Sequence, residues 1–518
     1  MTLGFISFVG FILFSPLLSR ADEGAASSPA SGPTSSSAPE GAQIQLQGAK
    51  AKAKSVAPAK AKAGAFGGEN ARLKPSAGGV ARFQGLLGYF GVLLIAFALS
   101  NNRKRILWRP VVWGLGLQAL FAMIVLNPVV GRFFFNTVDK GVRSLLGFAD
   151  KGIEFLFQST SPHALGVPGP GGQMVQQTFI GQMSPALKSV AFSVLPTVIF
   201  FSALITLLYH LGVMQWIVRG IAKAMRYAMR TSGAETLSCT ANIFVGQTEA
   251  PLLIKPFVGK LTQSELMAVM VGGFATVAGG VLAIYVGMLR DLPGIAGHLV
   301  TASIMAAPGA LAISKLIYPE TEESVTAGAL SIDIERPDAN AIEAVARGAS
   351  EGMGLFLNIA AMLIAFVGLM WMANAILGVF GDILAWAGLH AAAGLSLQRL
   401  LGWIMSPMAF GLGVPFDESA QVGRLLGEKL VLTELIAYLG LKNLVMGTGP
   451  AVLSARSAVV SSYALCGFAN IASIGIQIGG IGGMAPERRG DLARLGLRAM
   501  FAGALVSMLS GAIAGIVV

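Results

Sequence analysis

The chain has 518 residues, 54% of them hydrophobic and only 12% charged, with a mean hydropathy of +0.69. A soluble protein carries about twice that charged share, so most of this chain is expected in lipid. The net charge of +11 does not point to nucleic acid. Its basic residues lie between apolar segments and in a Lys/Ala tract, without an aromatic-interleaved basic surface. The two cysteines (Cys239, Cys466) and four histidines (His163, His210, His298, His390) have no metal-ligand spacing and no catalytic-triad partners.

Residues 1–21 read as a signal peptide: an apolar core from Phe5 to Phe14 leads to Ser19-Arg20-Ala21, with small residues where a signal peptidase cuts. The n-region lacks Lys and Arg, so an uncleaved anchor is the alternative. Residues 22–80 are Ala/Ser/Pro/Lys-rich and contain nothing that could bury a core, which predicts a disordered tail.

Apolar stretches of membrane-crossing length follow at 83–100, 107–127, 189–209, 263–288, 295–317, 353–378, 452–481 and 497–517. The basic clusters Arg103-Lys104-Arg105, Arg219/Lys223/Arg226/Arg230 and Arg488/Arg489/Arg494, with the polar loop 319–350, fall on one side of this pattern. The positive-inside rule puts that side in the cytoplasm and both termini of the mature chain outside. Residues 211–230 alternate apolar and basic side chains at helical spacing, which predicts an amphipathic helix on the inner surface, and 130–158 predicts another outside.

Two apolar regions fit poorly as simple crossings. Residues 232–260 contain Asn242-Ile-Phe-Val-Gly-Gln-Thr-Glu-Ala-Pro251, and 396–439 contain Gly411, Gly413, Pro415, Asp417 and Glu418 in their middle. Non-helical backbone and ionisable groups at membrane depth must be buried in protein or line a cavity. Each region therefore predicts a re-entrant hairpin, and the first marks a binding site for a polar solute. Gly273-Phe-Ala-Thr-Val-Ala-Gly279 recurs loosely as Gly467-Phe-Ala-Asn-Ile-Ala-Ser473, and a Thr-Glu pair precedes each copy, Thr248-Glu249 and Thr433-Glu434. The two copies run in opposite directions through the predicted topology, the signature of an inverted repeat. The expected fold is an all-α polytopic membrane protein with eight transmembrane helices, two re-entrant hairpins and interfacial helices. Its parts are N-terminal scaffold spans with an interfacial helix (81–210), a first repeat (211–318), a cytoplasmic loop with an interfacial helix (319–352) and a second repeat (353–518).

These motifs, with Leu195-Pro-Thr-Val-Ile-Phe-Phe201, Ser232-Gly-Ala-Glu235, Lys429-Leu-Val-Leu-Thr-Glu434 and Cys466-Gly-Phe-Ala-Asn-Ile-Ala-Ser-Ile-Gly475, resemble the concentrative nucleoside transporters, sodium- or proton-driven nucleoside symporters. The resemblance covers roughly residues 83–518. It implies a homotrimer in the plasma (cell inner) membrane, importing nucleosides with sodium as coupling ion and no other cofactor. It further implies that Gln247, Thr248 and Glu249 face the nucleobase, with Val281 and Phe468 as apolar walls. Glu434, Asn470 and Ser473 would bond the ribose hydroxyls. Asn242 and Thr276, with the carbonyls of Val245 and Val277, would hold sodium. Gly280 stands where relatives often have Ser.

Elementary chemistry supports the same roles. A carboxylate, an amide and a hydroxyl together satisfy hydroxyls that both donate and accept. Neutral side-chain oxygens and unwound carbonyls suit sodium. A proton taken by Glu249 or Glu434 is the alternative coupling ion, and Asn242 favours sodium because proton-driven relatives tend to lack it. Blander uses stand beside these. Either Glu could lock helices together, Asn470 could cap a broken helix, and Thr276 could bond back to its own helix. Ser238 and Thr240 read as packing residues. A membrane-embedded hydrolase using Glu249 or Glu434 as base lacks a metal motif, a nucleophile–base pair or a cofactor loop, and a nucleoside-sensing receptor would bind without accumulating its ligand.

Overall fold

The computed structural model describes residues 80–517 except 127–129, 162, 169–172, 182, 185–186, 293, 328–337 and 447–451. The expected signal (1–21) and tail (22–80, but for Val80) lie outside them. The described chain is helical almost throughout. One departure from the all-helical expectation is a two-stranded antiparallel hairpin, β1 (His163–Pro168) and β2 (Met174–Phe179), with His163 opposite Phe179. Its sequence signal is the Gly169-Pro-Gly-Gly172 stretch between two short runs, turn chemistry that membrane-length hydropathy passes over.

Among the described residues, six stretches are long and apolar enough to cross a membrane: Trp108–Val125, Val190–His210, Gln263–Met288, Ile295–Ile317, Ala341–Trp386 and Pro486–Val517. Of the other two expected spans, 83–100 falls on the shorter apolar helix Arg82–Ala98, and 452–481 covers two short helices, Ala455–Leu465 and Ile471–Met484, instead of one. In chain order the helices are α1 (Val80–Ala98), α2 (Trp108–Val125), α3 (Val130–Phe157), α4 (Thr197–His210) and α5 (Val213–Met229). Next come α6 (Gly233–Ala241), α7 (Lys255–Val258), α8 (Gln263–Ala275), α9 (Gly279–Met288) and α10 (Ile295–Ile317). The remainder are α11 (Ala341–Trp386), α12 (Leu397–Gly411), α13 (Phe416–Val431), α14 (Glu434–Met446), α15 (Ala455–Leu465), α16 (Ile471–Met484) and α17 (Arg489–Val517).

Burial divides these helices. In the spans 263–288, 295–317 and 486–517 more than four-fifths of the most apolar window is buried, against a third of α2 and none of α11. Small residues let the inner helices approach closely. A methyl group on Gly503 of α17 would lie 3.0 Å from the backbone of Phe274, and one on Gly511 2.9 Å from Ala464. The long α11 runs unbroken for 46 residues, about 69 Å at 1.5 Å per residue and well beyond the hydrocarbon core. It approaches α4 closely at Gly348 and Gly352, which face Thr206 and Ile199, and turns Ile364, Trp371, Ile376 and Phe380 outward. The expected amphipathic helix 211–230 is α5, which buries Met214, Val218, Met225 and Met229 and exposes Trp216 and Tyr227.

The second hairpin region differs from expectation. Residues 396–439 contain two chain reversals. The first, at 412–415, bends α12 against α13 by 117°, with Gly413 at φ +93°. The second falls at Leu432-Thr433: Gly440 of α14 lies against Leu425 and Glu428 of α13, so the chain has doubled back. It is this second turn that carries Glu434. Gly and Pro drew the sequence reading to residues 411–415, whereas the later turn has neither and is helped by Thr433, whose Oγ1 accepts from the Ile436 N–H at 3.4 Å. Glu418, near the first reversal, fastens two helix starts together. Its Oε2 accepts from the Ser454 backbone N–H and hydroxyl, both at 3.0 Å, tying the start of α13 to that of α15.

Candidate functional site

The first polar turn grows out of a helix that is buried along its whole length. Every residue of α6 is buried, and its start is secured by a Ser232–Glu235 capping box and by Lys315 of α10, 2.8 Å from Glu235. Pairing is what makes a buried charge tolerable at such a place. Past Asn242 the helix unwinds until a short 3-10 turn, Ala250–Ile254. Two helix breaks adjoin this turn. α8 and α9 are separated by Thr276–Ala278, and α15 and α16 by Cys466–Asn470.

These interruptions touch one another. The Gly279 N–H donates to Phe244 O (2.9 Å), joining the first turn to the first break, and the Phe468 N–H donates to Thr276 O (3.3 Å), joining the two breaks. Gly467, at φ +136°, is needed on both counts. An L side chain rarely adopts that backbone, and its Cβ would meet the carbonyl oxygens of Phe274 and Ala275 at 2.9 and 2.8 Å.

Glu434, 5% exposed, begins α14, where the free N–H groups of the helix start favour an anion. Its Oε1 accepts from the Tyr285 hydroxyl at 2.6 Å and its Oε2 from Asn470 Nδ2 at 2.8 Å. Asn470 does cap a broken helix: its Oδ1 accepts from the Ser473 N–H at 2.9 Å. Capping leaves its amide hydrogens for Glu434, so one side chain serves both the helix and the carboxylate. Each carboxylate oxygen of Glu434 can still accept another hydrogen bond. Gln247 lies on the other side of the breaks, its Oε1 accepting from Gln477 Nε2 at 3.0 Å, while the same amide also donates to Met270 O at 3.1 Å. Gly273 makes room for this pair, since its Cβ would lie 2.6 Å from Gln477 Nε2 and 2.8 Å from Gln247 Cβ. Thr248 packs against Gly480. Val281 and Ser473 are buried, and Phe468 is half-buried.

Glu249 stands apart. It is exposed, curls over Gly246 and forms no side-chain hydrogen bond or ion pair among the described residues. The structure thus joins Glu434, Asn470 and Ser473 in one bonded chain, holds Gln247 through Gln477, and leaves Glu249 outside both.

The four sodium candidates lie on the two segments that the Gly279–Phe244 bond joins, Asn242 and Val245 on the first and Thr276 and Val277 on the second. Asn242, 1% exposed, donates Nδ2 to Ser238 O at 3.2 Å, and its Oδ1 is buried without a hydrogen-bond partner among the described residues. The Ser238 hydroxyl is likewise unpartnered. Thr276 bonds back to Gly272 O at 2.8 Å, which uses its hydrogen and leaves its oxygen lone pairs. The carbonyls of Val245 and Val277 accept no backbone hydrogen bond among the described residues. Buried oxygens without donors are rare and call for an explanation, and neutral oxygens of this kind are the ligands a monovalent cation takes. Among the described residues, no group of three or more His, Cys, Asp or Glu side chains could hold a metal.

Three residues here escaped the sequence reading. Tyr285 and Gln477 lie in apolar or Gly-rich helix stretches, where a single polar group reads as packing. Ser238, like Thr240, reads in the sequence as a packing residue, and only its unsatisfied hydroxyl separates it from Thr240, which bonds to Thr236 O at 2.7 Å.

Comparison with known proteins identifies the family. Residues 87–160 match the N-terminal profile and residues 298–515 the C-terminal profile of the Na+ dependent nucleoside transporters, and residues 191–292 match a nucleoside recognition (gate) profile. The chain is 43% identical over 432 residues to the uncharacterized transporter YutK of Bacillus subtilis, an alignment spanning 83% of this chain and 98% of that protein. It belongs to the concentrative nucleoside transporter family. Mouse sodium/nucleoside cotransporter 1 is 38% identical over 445 residues, 83% of this chain and 63% of the longer mouse protein. The solved structure of CNTnw in an inward-facing substrate-bound state superposes with a TM-score of 0.73 at 37% identity, covering 84% of this chain and 98% of that one. A variant of CNTnw in an outward-facing state matches with the same score. A concentrative nucleoside transporter is a multi-pass membrane protein that couples to sodium, and not an enzyme.

Proposed function

We propose that this transporter imports nucleosides into the cell by sodium symport, binding both ligands where the two polar turns meet the two broken spans and exposing them alternately to either side. The observation that carries this reading is the pairing of an anion with spare acceptor capacity, Glu434 held by Tyr285 and Asn470, with a separate nest of unpartnered neutral oxygens around Asn242. The ribose hydroxyls donate to Glu434 and accept from Asn470, with Ser473 beside them, while Gln247, Thr248 and Glu249 turn to the base between the walls Val281 and Phe468. A sodium ion on Asn242, Thr276 and the carbonyls of Val245 and Val277 clamps the turn 242–249 against the first break, and the base-facing residues belong to that same turn. Sodium therefore raises nucleoside affinity, and by linkage nucleoside raises sodium affinity by the same factor.

The same reading has two re-entrant hairpins inside eight spans, a homotrimer in the plasma (cell inner) membrane, and both mature termini outside. The bare outer face of α11, with Trp371 and Phe380 exposed, supports contact with lipid or with other copies of the chain. The test is uptake of a radiolabelled nucleoside panel into proteoliposomes under an inward sodium gradient and, separately, an inward proton gradient. Accumulation with sodium alone supports the reading. Accumulation with protons alone assigns the coupling ion to a carboxylate instead, and nucleoside binding without accumulation makes the protein a receptor.

A further inference from the structure

Lys429 is a buried cation outside both groups of site residues. It lies in the last turn of α13 and is 1% exposed. Its ammonium donates to Ala464 O at 2.9 Å and to the Ser507 hydroxyl at 2.8 Å. Among the described residues no carboxylate lies within ion-pairing distance; its neighbour Glu428 is engaged by Arg424 at 3.2 Å. An unpaired buried ammonium is costly, so its surroundings must be arranged to favour it.

Two helix ends supply that arrangement. Ala464 belongs to the last turn of α15, next to the second break, and Lys429 itself sits at the end of α13. The C-terminal ends of both helices carry partial negative charge and carbonyls without helical partners. Across the turn Leu432-Thr433 stands Glu434, at the positive start of α14, and the break that follows Ala464, the Lys429 partner, ends on Asn470, which holds Glu434. In the first half of the protein the corresponding place, the end of α6, offers the unpartnered Asn242 Oδ1 and Ser238 Oγ and no lysine.

We infer that the Lys429 ammonium is the tethered counterpart of the mobile sodium ion: a built-in cation at the second turn that balances Glu434 when no nucleoside is bound and so lets the empty carrier return across the membrane. This rests on the symport reading above. In the loaded carrier the ribose hydroxyls help to hold the Glu434 charge; in the empty carrier Lys429 is its fixed compensation. Removing the ammonium charge must then slow the empty carrier more than the loaded one.

The experiment compares two rates in the same proteoliposomes: net sodium-driven uptake, which requires the empty carrier to return, and nucleoside-for-nucleoside exchange at equal sodium, which does not. Lys429→Gln, which keeps a donor and loses the charge, is expected to lower net uptake by about tenfold or more, as an uncompensated buried carboxylate would, with exchange within about threefold of wild type. Lys429→Arg is expected to restore net uptake. Equal losses of both rates in a protein with a wild-type thermal unfolding midpoint, or no loss of either, overturn the inference. If Lys429→Gln alone does not accumulate in the membrane, the double variant Lys429→Gln, Glu434→Gln restores charge balance and must accumulate; its failure to do so also overturns the inference. Wild-type vesicles report on the underlying reading separately, because absence of sodium-driven uptake there refutes symport itself.

Discussion

At the end of α6 the helix stops on Asn242, whose buried side-chain oxygen has no partner, and the following turn presents bare carbonyls. At the end of α13 the helix stops beside Lys429, whose ammonium already occupies the acceptors near it, and the following turn starts a new helix on Glu434. Each turn is linked to a helix break, the first to Thr276–Ala278 and the second, through Glu434 and Asn470, to Cys466–Asn470, but their side chains differ. In the symport proposal the first turn, lined by neutral oxygens, takes the cation, and the second, with Lys429 and Glu434, takes the hydroxyl-bearing solute. The two breaks are joined by the bond from the Phe468 N–H to Thr276 O, the contact through which, in that proposal, one site senses the other.

That division can be broken from either side. The largest effect is expected from Glu434→Gln, which keeps the shape and removes the charge that strengthens the ribose bonds. Nucleoside uptake should fall by about a hundredfold, the loss of two charge-assisted hydrogen bonds, with membrane expression retained; uptake near wild type would remove Glu434 from the site. Asn242→Ala should act on the other half. The sodium concentration for half-maximal uptake should rise about tenfold, roughly 1.4 kcal/mol of ion binding, whereas nucleoside KM at saturating sodium stays close to wild type. An unchanged sodium curve would contradict the ion site.

Smaller changes sharpen the picture. Gly273→Ala would drive a methyl group into the Gln247–Gln477 pair, and overpacking of this kind costs about 1–3 kcal/mol. Nucleoside KM should rise severalfold or more, measured by uptake at saturating sodium, and Gln477→Ala in the same protein should recover part of the loss by clearing space. The smallest effect belongs to Tyr285→Phe, which removes one neutral donor to Glu434 and should raise KM by about fivefold, near 1 kcal/mol.

The membrane class was legible because lipid leaves backbone few options, and apolar runs such as 263–288 and 295–317 announce themselves. The first turn was legible for the opposite reason: Asn242, Gln247, Thr248 and Glu249 are too polar for their surroundings. The second turn was harder. Leu432-Thr433 has no Gly or Pro, so its position depends on α14 packing back on α13 through Gly440, a tertiary fact that no local pattern carries. The β1–β2 hairpin was hidden by attention to longer periods. Tyr285, Gln477 and Ser238 are each a single polar residue in an apolar or small-residue helix, and only their partners, or the lack of one, give them a role. Lys429 lay within a recognised motif, yet its function depends on the ends of two helices that meet only in the folded protein.

The most direct test of the shared site is a cycle in which one member is the ligand. Sodium-dependent binding of a nucleoside and of its 2′,3′-dideoxy analogue is measured on wild type and on Glu434→Gln by calorimetry. If Glu434 receives the ribose hydroxyls, deleting them should weaken wild-type binding by about 30-fold or more and weaken the variant much less, because the variant has already lost what the hydroxyls use. Equal fold-losses on the two proteins would mean that Glu434 and the sugar act independently, and the assignment of the second turn to the nucleoside would not stand.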